Sequence, residues 1–219
     1  MNHYPQEERP IIHRLREEYF DRLPEIRRVV GYLEAEVRYH TRHILQGLKD
    51  YEQLVTKSRV KGCESAIRAL RRKKGEGGTF DPDKPDGFYT LCDLPDLAGV
   101  RTLVFPRSRL MEVNDTLQAH FAGWSSDPVP VPGDKFDVLA PKYSGRLLNV
   151  SNDIQAEFQI VPMLIGLYWE VEHAAIYKHA SNVSSSRSRE DSSPLKKLDE
   201  NIVHALLNFE AEYEYLIRD

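Results

Sequence analysis

Between residues 24 and 50 apolar side chains recur at helical spacing. Ile26, Val29, Val30, Leu33 and Val37 share one face, and Pro24 suits a first helical position, so the pattern predicts a helix over 24–50. YEQLVTKSRV (51–60) is mixed and β-like. GCESAIRALRRKKG (62–75) reads as a second helix, stopped by Arg71, Arg72, Lys73 and Lys74 in its last turn and by Gly75 beyond them. GEGGTFDPDKPDGFYT (75–90) is rich in Gly, Pro and Asp and reads as a loop. The strand VRTLVF (100–105) follows, then an amphipathic helix, SRLMEVNDTLQAHF (108–121). Residues 122–153 carry Pro and Gly and little periodicity. In IQAEFQI (154–160) the period becomes two: Ile154, Ala156, Phe158 and Ile160 on one face, Gln155, Glu157 and Gln159 on the other, as in a half-buried strand. A helix is expected over PMLIGLYWEVEHAAIYK (162–178), then a Ser-rich linker, HASNVSSSRSREDSSP (179–194). The last helix, 195–217, has Leu195, Leu198, Ile202, Ala205, Leu206, Phe209, Tyr213 and Leu216 as its apolar positions.

This order predicts an α+β fold: a small mixed sheet with helices packed on it, and helical extensions at both ends. No repeat and no domain boundary interrupts it, so 1–219 reads as a single domain with its core at about 55–180. With 219 residues, 41% hydrophobic and 29% charged, the chain can bury a substantial core. The net charge of −4 argues against nucleic acid as the partner. No apolar run is long enough to span a bilayer, and MNHYPQEERP carries no apolar leader segment. The two cysteines, Cys63 and Cys92, form neither a metal-ligand spacing nor a disulfide framework. A cytoplasmic protein is expected, and the last helix has apolar residues enough to complete the core or to join subunits of a homo-oligomer.

Three clusters carry candidate chemistry. If the second helix begins near Val60, then Lys61, Ser65, Arg68 and Arg72 form one polar stripe while Cys63, Ala66, Ile67 and Leu70 turn inward, with Arg59 just ahead. Such a stripe suits a polyphosphate, because Arg binds phosphate bidentately and Lys adds a compact charge; it equally suits a solvated basic face. In LPDLAGVRTLVFP (94–106), Asp96 stands at the mouth of a strand, Gly99 permits close approach of a ligand, and Arg101 follows. A turn cap paired with Arg101 is the plainer reading of Asp96. Glu157, on the polar face of its own strand, would with Asp96 supply the hard oxygen ligands that suit Mg²⁺. On the next helix Glu170, His173 and Tyr177 share a face with Lys178 at its edge, while Tyr168 and Trp169 read as core.

In this order SRVKGCES, DLAGVR, EFQI and EVEHAAIYK resemble the RelA/SpoT synthetase family, the pyrophosphokinases that make (p)ppGpp, over about residues 55–215, and are closest in flavour to its small single-domain members. The resemblance implies a nucleotidyltransferase-like mixed sheet flanked by helices, and transfer of pyrophosphate from ATP to the 3′-hydroxyl of GTP or GDP with Mg²⁺. It implies that Arg59, Lys61, Ser65 and Arg68, with Arg72 or Lys73, hold the ATP phosphates and that Asp96 ligates the metal. Glu157 would stand by the metal or the acceptor hydroxyl, Gln159 and His173 on the acceptor side, Lys142 and Lys178 by phosphate, and Arg101 behind the site.

The family's Gly–Tyr–x–Ser–Leu–His loop is absent. PKYSGRLLNVSNDIQAEFQI matches its start at Lys142, Ser144 and Gly145, then places Arg146, Leu147 and Leu148 where the tyrosine and histidine belong, and runs about a dozen residues short before Glu157. A base-stacking ring is worth ~1–3 kcal/mol in single-stranded nucleic-acid binders. The alternatives are therefore a degenerate nucleotide-binding pseudoenzyme or a relative acting on another acceptor, such as an RNA 3′ end. RYHTRH (38–43) lacks the acid of a His–Asp hydrolase site, so alarmone hydrolysis is not expected.

Overall fold

The computed structural model describes residues 5–85, 87–180 and 192–217. A long helix α1 (Arg9–Gln46) leads into β1 (Gln53–Val60) and α2 (Cys63–Lys74). Then come β2 (Ala98–Phe105), α3 (Leu110–His120), β3 (Ser125–Ser126), β4 (Val129–Val131), β5 (Asp134–Ala140), β6 (Lys142–Arg146), β7 (Gln155–Pro162), α4 (Met163–Ala180) and α5 (Ser192–Ile217). Five strands form one mixed sheet in the order β1-β2-β7-β6-β3, parallel only between β2 and β7, and β4 and β5 form a separate hairpin. This is the expected α+β architecture, a mixed sheet with helices packed on it and helices at both ends.

Alternation along the strands divides the sheet's two faces. Leu54, Ala98, Val100, Val104, Tyr143, Ala156, Phe158 and Ile160 join the buried side chains of α1, α2 and α3 in the main core. On the opposite face Leu103 and Val161 pack with Ile165 of α4, Val203 of α5 and Val131, Leu139 and Ala140 of the hairpin. Helix α4 covers only that end. It lies so close to β2 that a Cβ on Gly166 would stand 2.3 Å from Cδ2 of Leu103. The rest of the face is left open and polar.

Several boundaries differ from the sequence reading. Helix α1 begins at Arg9, with Pro10 in its first turn and Pro24 inside it. Burial of Ile12, Leu15 and Tyr19 continues the apolar stripe across Pro24 and outweighs the ~3 kcal/mol a helical proline costs. Helix α2 starts at Cys63, so Lys61 lies ahead of it instead of on its stripe, while Ala66, Ile67 and Leu70 are buried as expected. The stretch from 122 to 153 is not irregular: it holds β3 to β6, whose short, Pro- and Gly-broken runs give no sustained period. Helix α5 buries Val203 and Glu210, leaving Leu198, Phe209 and Leu216 exposed. The Ser-rich linker lies outside the described residues over 181–191.

Candidate active site

The register of the sheet sets two rows of polar residues across its open face. Lys57 on β1 pairs with Arg101 on β2, Arg101 with Gln159 on β7, and Gln159 with Lys142 on β6. One step away, Arg59 pairs with Gly99, Gly99 with Glu157, and Glu157 with Ser144. Side chains opposite one another across a ladder stand within reach of each other. The period-2 pattern that buries Val100, Phe158 and Tyr143 therefore gathers four cations, a carboxylate and an amide on the other side.

Hydrogen bonds tie the rows together. Nε and Nη2 of Arg101 donate to Oε1 of Gln159 at 3.2 and 3.1 Å, and Nε2 of Gln159 donates to Oε1 of Glu157 at 2.7 Å. Lys142 Nζ stands 2.7 Å from Oδ2 of Asp127 and 3.7 Å from Oε2 of Glu157. Lys57 Nζ donates to both oxygens of Glu170 on α4, at 3.0 and 2.9 Å. Between Arg59, Arg101, Glu157 and Glu170 lies a cavity of about 200 Å³.

Asp96 enters from the turn ahead of β2. The amide of Lys61 donates to the carbonyl of Leu97 at 2.9 Å, extending the β1–β2 pairing and bringing the Lys61 ammonium onto Asp96 as a half-buried ion pair. The Tyr19 hydroxyl on α1 donates to the Lys61 carbonyl at 3.0 Å and fixes the turn.

Charge in this cleft is tightly coupled. Glu157 is 7% exposed, and burial pushes its pKa above the ordinary carboxylate range. Lys142 pulls it back, the Asp96 charge adds to the rise, and Gln159 and Arg59 oppose it. Burial draws the Lys142 ammonium down, but the hydrogen bond to Asp127 and the charges of Glu157, Asp127 and Asp96 outweigh that, and its pKa rises. Burial and the neighbouring Arg59 lower the pKa of Arg101, against the pull of Glu170 and Glu157. Asp96 is thus close enough to act on both Glu157 and Lys142. Two carboxylates that feel each other's charge amid cations suit a divalent cation and phosphate groups.

The structure brings Arg59, Lys61, Asp96, Arg101, Lys142, Glu157 and Gln159 into one cleft. The basic helix is partly separate. Arg68 Nη2 lies 3.4 Å from Oγ of Ser65, and with Arg71 and Arg72 it borders a second cavity of about 260 Å³. Lys73 Nζ donates to the Asp93 carbonyl at 2.7 Å, a tie to backbone. His173 and Lys178 lie on α4, and their side chains are outside the described residues. Lys57 and Asp127 were not among the site residues read from the sequence, and Glu170, placed there on the helix face with His173, was given no role. Lys57 was legible from strand alternation, two places before Arg59; Asp127 was not, because β3 is too short to announce itself.

The departure after Gly145 has a structural basis. β6 pairs directly with β7 as far as Arg146 opposite Gln155, and the connection turns on bonds from the amides of Val150 and Ser151 to the Leu147 carbonyl at 2.7 and 2.9 Å. Leu147 is buried and Leu148 exposed. Tyr143 faces the main core: its hydroxyl donates to Oδ1 of Asn114 at 2.8 Å and its ring stacks on Phe158 at 4.8 Å. It cannot stand in for a base-stacking tyrosine in the cleft.

No protein-family model matches this sequence, and no curated protein matches it. Solved structures do. Small alarmone synthetase 1 from Bacillus subtilis bound to AMPCPP superposes with a TM-score of 0.61 at 14% identity, over 93% of this chain and 99% of that one. The same protein bound to its product pppGpp gives 0.62 at 14% identity, over 93% and 100%. A GTP pyrophosphokinase family protein from Streptococcus pneumoniae gives 0.57 at 22% identity, over 91% and 94%. The chain has the fold of these small RelA/SpoT-type synthetases over nearly its whole length.

Proposed function

We propose that this chain is a pyrophosphokinase that transfers pyrophosphate from ATP to the 3′-hydroxyl of GTP or GDP, acting in the cytoplasm. The observation that carries the reading is the double row across β1, β2, β7 and β6, where Arg59, Arg101 and Lys142 surround a buried Glu157 with Asp96 nearby. The fold shared with synthetases solved with AMPCPP and with pppGpp supports it.

The chemistry follows from these residue types. The acceptor 3′-oxygen attacks the β-phosphorus of ATP, the new O–P bond replaces the bond from that phosphorus to the α–β bridging oxygen, and AMP leaves with that oxygen. Catalysis needs alignment and countercharge more than covalent chemistry from the protein. Arg59 and Lys61, with Ser65, Arg68, Arg72 and Lys73 further along α2, hold the triphosphate. Arg101, fixed by Gln159, and Lys142 offset charge growing on the transferred group. Glu157, made a stronger base by burial, accepts the hydroxyl proton. Asp96 and Glu157 offer the oxygen ligands Mg²⁺ prefers; when bound there, the ion neutralises phosphate oxygens and relieves the repulsion between the two carboxylates. His173 is assigned to the acceptor side and Lys178 to phosphate charge.

A second reading rests on the direct β6–β7 connection, which lacks the family's stacking loop, and on Tyr143 turned into the core. It keeps ATP binding and changes the acceptor or abolishes transfer. Incubation with ATP, Mg²⁺ and GTP or GDP, read by mass, separates the two. Pyrophosphorylated guanosine nucleotide, lost in folded Asp96→Asn and Glu157→Gln, supports the first. ATP binding with no such product supports the second, and no nucleotide binding removes both.

A further inference from the structure

On the far side of the sheet from this cleft, α1 and the end of α3 bring together Glu36, His40 and His120, one ligand atom from each lying within 4.8 Å of the others. Glu36 and His40 are four residues apart on α1 and so share a face; His120 closes α3. Oε2 of Glu36 is 3.4 Å from Nε2 of His40 and 2.9 Å from Nε2 of His120. We infer that these three side chains form a binding site for a divalent transition-metal ion of the zinc class.

The geometry supports this. Ligands at about 2.0–2.1 Å from a tetrahedral zinc stand about 3.3 Å from one another, and the two carboxylate–imidazole separations bracket that length. Two imidazoles and one carboxylate are a donor set that suits zinc or cobalt and disfavours magnesium. The rings are held before any ion arrives: His40 stands edge-on to Tyr39 at 5.1 Å, His120 edge-on to Phe121 at 4.8 Å, and the two imidazoles face each other at 3.5 Å. Both rings turn Nε2 toward the one Glu36 carboxylate, which sets the three donor atoms around a common point. Glu36 and His120 also border a cavity of about 800 Å³, which admits the water or further ligand that completes a coordination shell. An ion here clamps the end of α3 to α1. Through Phe121, whose ring is 4.9 Å from Trp124, it braces the chain that enters β3.

The test uses the full chain stripped with EDTA and passed into metal-free buffer. With Zn²⁺ added and excess removed, one ion per chain is retained; Co²⁺ gives the intense visible absorption of tetrahedral coordination; millimolar Mg²⁺ displaces neither. The melting temperature rises with Zn²⁺ concentration, as binding to the folded state alone requires. His120→Ala and His40→Ala abolish retention, the cobalt spectrum and the thermal shift, while His43→Ala, exposed on the same helix outside the cluster, keeps all three. Failure of the parent chain to retain Zn²⁺ or to give the cobalt spectrum overturns the site whatever the variants do. So does retention unchanged in His120→Ala, which would make the trio a hydrogen-bonded cluster only.

Discussion

The side chain of Arg59 lies across the backbone of Gly99. A Cβ placed on Gly99 would stand 3.4 Å from Cγ and 3.5 Å from Nε of Arg59. Both distances are ordinary van der Waals contact, so one methyl fits and a branched side chain does not. Gly99→Ala is expected to fold with unchanged or slightly raised stability, since a methyl restricts the unfolded chain by about 0.4–1 kcal/mol where the native backbone accepts it. Gly99→Leu is expected to push Arg59 out of its row and fill the cleft, weakening binding of an ATP analogue tenfold or more while the melting temperature moves little. Equal nucleotide affinity in the Leu and Ala variants would remove Arg59 from the binding site.

Lys142 is the second largest influence on the proton affinity of Glu157, after burial, and acts against it. Lys142→Met leaves the carboxyl buried without that cation, so its pKa climbs further. Because the proposed reaction needs Glu157 ionised, the acidic limb of the pH–rate profile moves to higher pH in Lys142→Met, with activity recovered in part at alkaline pH. Glu157→Gln abolishes that limb along with turnover. A profile in Lys142→Met that is lowered uniformly, with its acidic limb unmoved, would assign Lys142 to phosphate alone.

How much of this was legible depended on the length of each periodic run. IQAEFQI alternates over seven residues, and β7 presents Glu157 and Gln159 on the face that the alternation assigned. The same rule, applied to TKSRV, reaches Arg59 and would have reached Lys57. It could not reach β3, β4 or β6, which span two, three and five residues, too few to establish a period. Lys61 was assigned to a helix because its spacing to Ser65 and Arg68 is helical. The backbone bond from Lys61 to Leu97 keeps it in the strand's extension, where it meets Asp96. Glu36, His40 and His120 were beyond sequence reasoning as a set, since the last lies 84 and 80 positions beyond the other two.

The close approach of Trp124 to Gly145 makes the start of the shortened β6–β7 connection a packing constraint. A Cβ on Gly145 would stand 2.6 Å from Cγ and Cδ2 of the indole. That ring is itself packed 4.9 Å from Phe121 and 5.6 Å from Phe158. Gly145→Ala is expected to cost about 1–3 kcal/mol by overpacking, read as a lowered urea midpoint. Shrinking the ring in Gly145→Ala/Trp124→Leu should return part of the loss. A strictly additive double variant would show that the glycine is needed for its backbone and not for the indole.

Glu210 on α5 sets a pH dependence of stability. It is 1% exposed, and neither carboxylate oxygen meets a donor at good hydrogen-bond geometry. Burial pushes its pKa from 4.5 to about 7; the nearby Arg107 amide and guanidinium offset part of this and the Glu214 charge adds to it. A carboxyl whose pKa is higher in the folded state binds its proton more tightly there. The stability it contributes is therefore complete below about pH 4.5 and is lost as pH rises to about 7. At 1.36 kcal/mol per unit, with allowance for relaxation around the charge, the loss is on the order of 1–3 kcal/mol. Glu210→Gln keeps the shape and cannot ionise, so it should match the parent near pH 5 and melt higher at pH 8. Parallel melting temperatures for the two proteins from pH 5 to pH 8 would show that Glu210 reaches water in the folded chain.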